Sequence, residues 1–433
     1  MQGSQTHLAR LTFLLLFVYM LLCIRLYGSA LISASTNSGN APIAAAEIDL
    51  LPLGYAGLSP GARQAGGSNL SVDFLDSHHV LVTFNPKKLF KRLPDCPPTH
   101  ADRLIHAVVM EVPSGKVVKE ADWYLHDLRR YVWNLGGGRV LLRRLNRLYE
   151  LNSNLEEKLV FDSPKDLLWV TVTADGKQIV VESSAGSGTA NDPTEGKLKE
   201  DEQKKERVQV SFLDASSLIV QRTISVRGRI RLESTSSGFA DVRHQGATTW
   251  LVEFGNAHIT RVKSRPAPDL LYSSANTVLV GRCAVSHKGY NLSAFTLTGT
   301  FLWRQQWEAC RFSPVVRDGE DGTRFAAGML SIRRIRTATG ENEQNDSPEE
   351  ALVQHVQVLD TATGNSVLSL TVAPAVMDGQ NFALSPDGRM LAAVEGNKNR
   401  ASEILGISRA TLYNILAKIE TKQKSSTAAP RSA

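Results

Sequence analysis

Between positions 70 and 395 the chain is written in short apolar runs, broken roughly every ten residues by turn residues, with few long stretches at helical period. That punctuation constrains the fold more than any other feature. In "FLDSHHVLVTF" (74–84), "VTVTADGKQIVVES" (170–183) and "FALSPDGRMLAAVE" (382–395) a polar turn separates an apolar lead from an apolar run. The last two turn on Asp-Gly, whose glycine supplies the positive φ of a tight hairpin. A second kind of hairpin alternates with the first: "AVVMEVPSGKVVKEADW" (107–123), "AFTLTGTFLWRQQW" (294–307) and "VQVLDTATGNSVLSL" (356–370), each with a glycine turn.

Such alternation resembles the β-propellers of the WD-repeat-like and TolB-like kind, in which "SPDG" opens the inner hairpin of a blade and "TG" turns the outer one. The resemblance is carried by "LSPDGRMLAAV" and "LDTATGNSVLSL" and extends more weakly over residues 45–395. It implies a mainly β fold of about seven blades, at the usual repeat length of about 40 to 50 residues. Two packed β-sandwiches are the competing architecture. "SSAGSGTANDPTEGKLKEDEQKKER" (183–207) and "TATGENEQNDSPEE" (337–350) lack apolar periodicity and mix both charge signs, so they read as mobile insertions between strands. "AAEIDLLPL" (45–53) is a candidate for part of the ring's closure.

The amino end is of another kind. "LTFLLLFVYMLLCI" (11–24) is apolar apart from Thr12 and the Tyr19 hydroxyl, and Arg10 and Arg25 bracket it. As a helix it spans about 21 Å, short of the ~30 Å hydrocarbon core, which fits a signal-peptide core better than a spanning helix. Small residues at Gly28-Ser29-Ala30 and Ile32-Ser33-Ala34 offer cleavage sites, so residues 1–34 are expected to be a signal peptide or a membrane anchor. The weak charge bias keeps the amino terminus inside and sends the rest of the chain out. A buried core helix is the other reading of the block.

The carboxyl end is basic. Of a formal net charge of +6, residues 396–433 carry +5, from seven basic against two acidic side chains. Such a tail suits a polyanion, and equally suits a solubilising function. Ala401, Ile404 and Leu405, then Leu412, Ile415, Leu416 and Ile419, fall on single helical faces. Gly406 can end the first helix and Ser408 can cap the second, which gives helix, turn, helix. With Gly396-Asn397-Lys398, Arg400-Ala401, Glu403 to Arg409 and Thr411-Leu412-Tyr413 in place, residues 396–420 resemble the Fis-type helix-turn-helix of nucleoid proteins and enhancer-binding activators. The resemblance implies that the helix starting at Ser408 enters the major groove of double-stranded DNA. Arg409 then reads a guanine edge, Asn399 and Thr411 hold phosphates, Asn414 faces the groove, and Arg400 and Lys418 add charge at the backbone.

One departure stands out: where that family has a longer preceding helix, this chain has the hairpin "LSPDGRMLAAVE". Two helices alone bury too little to stand by themselves, so they need the propeller or a second chain, as in a homodimer. A DNA-binding module, a cap on the propeller's edge and a remnant of gene fusion are therefore all open, with residues 421–433 as a disordered tail.

No catalytic, cofactor-binding or metal-ligating motif is present: no G-x-S-x-G, no H-E-x-x-H and no glycine-rich phosphate loop. His78 and His79 read as turn residues. Cys96, Cys283 and Cys310 lack C-x-x-C spacing and read as small core residues, although a Cys283–Cys310 bridge is conceivable. The expectation is a non-enzymatic propeller, membrane-anchored or exported, with a protein or peptide partner on its face. DNA binding would be physiological only if the tail faces the cytoplasm.

Overall fold

The computed structural model describes residues 29–34, 43–55, 69–86, 91–94, 96, 102–184, 207–227, 234–246, 248–255, 257–264, 267–273, 276–283, 289–307, 313–335, 349–372, 375–376 and 380–394. They form 28 strands in seven four-stranded antiparallel sheets arranged as a β-propeller. Two strands come from the amino end, β1 (Ser29–Ala34) and β2 (Ile43–Asp49). The first complete blade is β3 (Leu70–Phe74), β4 (His79–Phe84), β5 (Arg103–Glu111) and β6 (Val117–Leu125). The second is β7 (Val132–Gly136), β8 (Arg139–Arg144), β9 (Arg147–Leu151) and β10 (Glu157–Asp162). The third is β11 (Leu167–Val172), β12 (Gln178–Ser184), β13 (Arg207–Asp214) and β14 (Val220–Arg227). The fourth is β15 (Ser234–Thr235), β16 (Gly238–Gly246), β17 (Thr249–Phe254) and β18 (Ala257–Lys263). The fifth is β19 (Asp269–Ser273), β20 (Thr277–Cys283), β21 (Tyr290–Thr296) and β22 (Phe301–Trp307). The sixth is β23 (Val315–Asp318), β24 (Arg324–Ile335), β25 (Glu349–Asp360) and β26 (Ser366–Val372). Finally β27 (Phe382–Leu384) and β28 (Met390–Val394) join β1 and β2 in the order β2-β1-β28-β27.

That last sheet closes the ring from both ends of the chain. The amino-terminal contribution is larger than residues 45–53, because β1, inside the stretch expected to be leader, lies between β2 and β28. The first strands of successive blades touch along the axis, β27 with β3, β3 with β7, β7 with β11, β19 with β23 and β23 with β27. A pair of sandwiches has no such ring.

All six hairpins expected from turn chemistry are present, inner ones joining first and second strands and outer ones joining third and fourth. Gly388 of "SPDG" has φ 65° and its N–H donates to the Ser385 carbonyl at 2.8 Å, while Ser385 Oγ donates to Asp387. Gly364 of "TATG" has φ 72° and donates to the Asp360 carbonyl; a Cβ there would lie 2.5 Å from the Trp303 ring of the preceding blade. Glycine is thus required at residue 364 by backbone conformation and by packing together. His78 is a turn residue as expected, whereas His79 is the first residue of β4 and pairs with Glu111; the backbone N–H groups of both donate to Asp76 Oδ1, at 2.7 and 2.9 Å.

The core is divided into wedges between blades. Leu279, Tyr290, Leu292 and Trp303 of the fifth blade pack on Phe325, Ala327, Met329 and Leu359 of the sixth. Val356, Val358 and Leu368 of the sixth pack on Phe382, Leu384, Leu391 and Ala393 of the closing sheet. Burial at about 25 cal/mol per Å² of apolar surface acts at these junctions, so the fifth and sixth blades and the closing sheet stabilise one another. Gln354, fully buried, accepts hydrogen bonds from Asn381 Nδ2 at 2.8 Å and Val376 N–H at 3.3 Å, tying the sixth blade to the closing sheet.

Antiparallel strands put the two hairpin turns of every blade at one end and the second-to-third connection, with the link to the next blade, at the other. The ends of β4, β12, β20 and β24 and the starts of β5, β13, β21 and β25 therefore lie at one face. The start of β1 and the end of β28 lie at that face too. Ala30 is paired with Val394, so the start of β1 lies one strand spacing, about 4.8 Å, from the end of β28.

Candidate functional site

Asn399, Arg400, Ser408, Arg409, Thr411, Asn414 and Lys418, the residues expected to contact DNA, lie outside the described residues, as do the apolar block 11–24 and residues 421–433. No helix among the described residues is long and apolar enough to cross a membrane. What is described is the strand from which the tail departs, and two polar clusters.

The first cluster lines the axis at the hairpin-turn end. Asp73 of β3 is buried, accepts a 2.6 Å hydrogen bond from Ser71 and feels the positive charges of Arg317, on β23, and Arg130. Burial outweighs those attractions and pushes its carboxyl up. Asp318, at the end of β23, is reached by solvent yet hemmed in by protein. Desolvation there pushes its carboxyl to about 6, with Arg317 opposing and Glu320 reinforcing the rise. Glu320 spans the opening: a Cβ added to Gly136, on a first strand three sheets away, would lie 3.0 Å from Glu320 Oε1. Carboxylates and arginines from separate blades thus converge at the axis, pairings without any local sequence signal because the residues are far apart in the chain.

The second cluster sits at the opposite face. Cys96, in the connection between β4 and β5, Asp102, just before β5, and His126, just after β6, bring one sulfur, one oxygen and one nitrogen within 4.8 Å of one another. All three side chains are covered, with His126 and Asp102 only 9% and 6% exposed. His126 Nδ1 and Asp102 Oδ1 are 2.6 Å apart, and the Leu93 N–H donates to Asp102 Oδ2 at 2.7 Å. Arg92 Nη2 donates to Cys96 Sγ at 3.6 Å. Burial opposes ionisation of Asp102, but hydrogen bonds from Cys96, His126 and Leu93 prevail and hold its carboxyl below the usual range. Burial, then the Asp102 hydrogen bond, push the Cys96 thiol up, which does not make it an activated nucleophile.

Cys96 therefore sits among polar partners, and reading it as a plain core residue missed its surroundings. Cys283 needs a larger correction. It is disulfide-bonded, at the end of β20. A bridge to Cys310 was the conceivable alternative, and Cys310 lies outside the described residues.

Comparison with known proteins bears on the tail and the ring separately. The family model for the bacterial regulatory protein, Fis family, matches residues 389–418. Its first six positions overlap the end of the SPDG hairpin and all of β28, so residues 390–394 are strand where that family has helix. No curated protein matches the chain. Among solved structures, the acylaminoacyl peptidase of Pyrococcus horikoshii is similar at 8% identity over 68% of this chain and 46% of its own, with a TM-score of 0.40. The chain thus spans about half the length of that peptidase. An oligogalacturonate lyase in complex with manganese is similar at 11% identity, over 75% and 96% of the two chains, with a TM-score of 0.40. A putative TolB from Agrobacterium tumefaciens is similar at 12% identity, over 68% and 98%, with a TM-score of 0.35.

Proposed function

We propose that this chain is a non-enzymatic β-propeller that carries a duplex-DNA-binding segment at residues 396–420. The Fis-family match over 389–418 is the observation that carries the reading. The tail's local charge of +5 supports it, because cations that displace phosphate counterions supply most of the affinity for DNA. Since β28 is committed to the closing sheet, the DNA-reading unit begins at about Glu395, and the ring or a second chain stands in for the missing first helix. Arg409 reads a base, Asn399, Arg400, Thr411 and Lys418 meet the backbone, Asn414 faces the groove and Ser408 starts the recognition helix. With the leader inserted so that this tail is cytoplasmic, the molecule is a membrane-tethered regulator.

The test is binding of the purified full chain to a randomised duplex pool, with selection and sequencing of what is retained. Arg409→Ala is expected to lose discrimination at one guanine position, worth about 1 to 3 kcal/mol. Lys418→Ala is expected to weaken all sequences alike and flatten the salt dependence. Absence of binding at low salt, with a loss of propeller stability on deleting 399–420, would leave the segment as a lid.

The Cys283 disulfide favours a second reading. Disulfides persist in oxidising compartments and are rare in the cytosol. On that reading the leader exports the propeller, which serves as an extracytoplasmic scaffold for a protein or peptide partner, and the tail caps its edge.

A further inference from the structure

We propose that Cys96, Asp102 and His126 form a binding site for one divalent transition-metal ion of the zinc type. The argument is independent of what the tail binds. Three donors of different chemistry converge from two connections at one face, the segment between β4 and β5 and the link that follows β6. Thiolate sulfur with imidazole nitrogen suits zinc, cobalt or nickel and not magnesium or calcium, which take oxygen ligands. One thiolate and one carboxylate balance the ion's double charge, which lowers the cost of holding it beneath the surface. The outer ring of contacts is also in place: the Leu93 N–H fixes Asp102 through Oδ2 and leaves Oδ1 toward the imidazole, and Arg92 donates to the sulfur.

The ligand atoms lie within 4.8 Å of one another, so small side-chain rotations bring them to ordinary bond lengths of about 2.0 to 2.3 Å from a shared centre. On binding, the Cys96 thiol gives its proton to solvent and its sulfur bonds the ion. Asp102 Oδ1 gives up its hydrogen bond for the ion, and His126 either moves its ring proton from Nδ1 to Nε2 or ligates through Nε2. Three protein ligands leave a fourth tetrahedral position for water. The consequence is a clip that fastens the long connection after β4 to the rim of the first blade.

Cobalt(II) chloride and zinc(II) chloride, each alone, are the probes, added to the full-length protein. One cobalt per chain is expected, with thiolate charge-transfer absorption in the near ultraviolet and intense visible bands of tetrahedral geometry, displaced by one equivalent of zinc. Cys96→Ser should remove the charge-transfer band, His126→Gln should weaken binding at least tenfold, and His106→Gln, at a histidine paired with Asp122 on the first blade, should change neither. A readout on the unaltered protein guards against variants that misfold: zinc should slow alkylation of Cys96, followed by peptide mass, at least tenfold. No cobalt–thiolate band, together with alkylation indifferent to zinc, would overturn the site and leave the three residues as a hydrogen-bonded cluster.

Discussion

Single residues show where the ring is under tension, and Asp318 is the clearest. Its folded pKa of about 6 lies above the ordinary carboxyl value of 3.8, so the folded chain holds that proton more tightly than the unfolded chain. The resulting stabilisation is complete below about pH 4 and is lost as pH rises through about 6. Asp318→Asn removes the titration. Relative to the parent, the variant should gain stability between about pH 4 and 6, by about 1 kcal/mol or less, because water reaches the carboxylate and screens it. Urea midpoints at pH 4 and pH 7 measure this, and an equal difference at both would contradict it. Legibility at this scale divides by range. Gly364 and Gly388 were readable because a turn is written in four adjacent letters. The Glu320–Gly136 approach was not, since closure of the ring assembles it, and nor was the Cys96–Asp102–His126 grouping, which connections of the first blade bring together from positions with no local pattern.

At the scale of elements, alternation along a strand and glycine between strands made most hairpins visible, including both kinds of turn. The fourth blade was obscure: in "GFADVRHQGATTWLVEF" the apolar alternation is weak because most of β16 is solvent-exposed. The strand β1 was hidden for a different reason. "SALISA" follows an apolar leader and reads as small residues before a cleavage site, yet it pairs on both sides, with β2 and with β28. Cleavage after Ala34 would remove it and leave β28 with an unpaired edge, an aggregation liability. Amino-terminal sequencing of protein purified from cells should therefore find Ser29–Ala34 retained. Ile32→Pro, which deletes a backbone donor inside a doubly paired strand, should cost about 3 kcal/mol, whereas Ile43→Pro at the start of the outer strand β2 should cost far less. A stable mature chain beginning at residue 35 would show that the ring closes without β1.

At the scale of the whole molecule, the two readings of function part on compartment, and the closing sheet couples the relevant readouts. With Val394 paired to Ala30 and β28 held between β1 and β27, the last described residue of the carboxyl end lies beside the start of β1. A leader in a bilayer would bring this face, with the Cys96 cluster and the end of β20, toward the membrane. The DNA-binding reading requires tail and propeller in the cytoplasm, where Cys283 would be kept reduced; the scaffold reading requires both outside, where its bridge persists. The prediction is that two independent measurements agree. A reporter enzyme active only outside the cytoplasm, fused after Ala433, should be active in the same cells in which Cys283 resists alkylation until a reductant is added. A reporter active only in the cytoplasm should accompany a Cys283 that alkylates at once. The first pair of results assigns the chain to the scaffold reading and the second to the regulator. An exterior reporter with a reduced Cys283, or the reverse, would contradict the prediction.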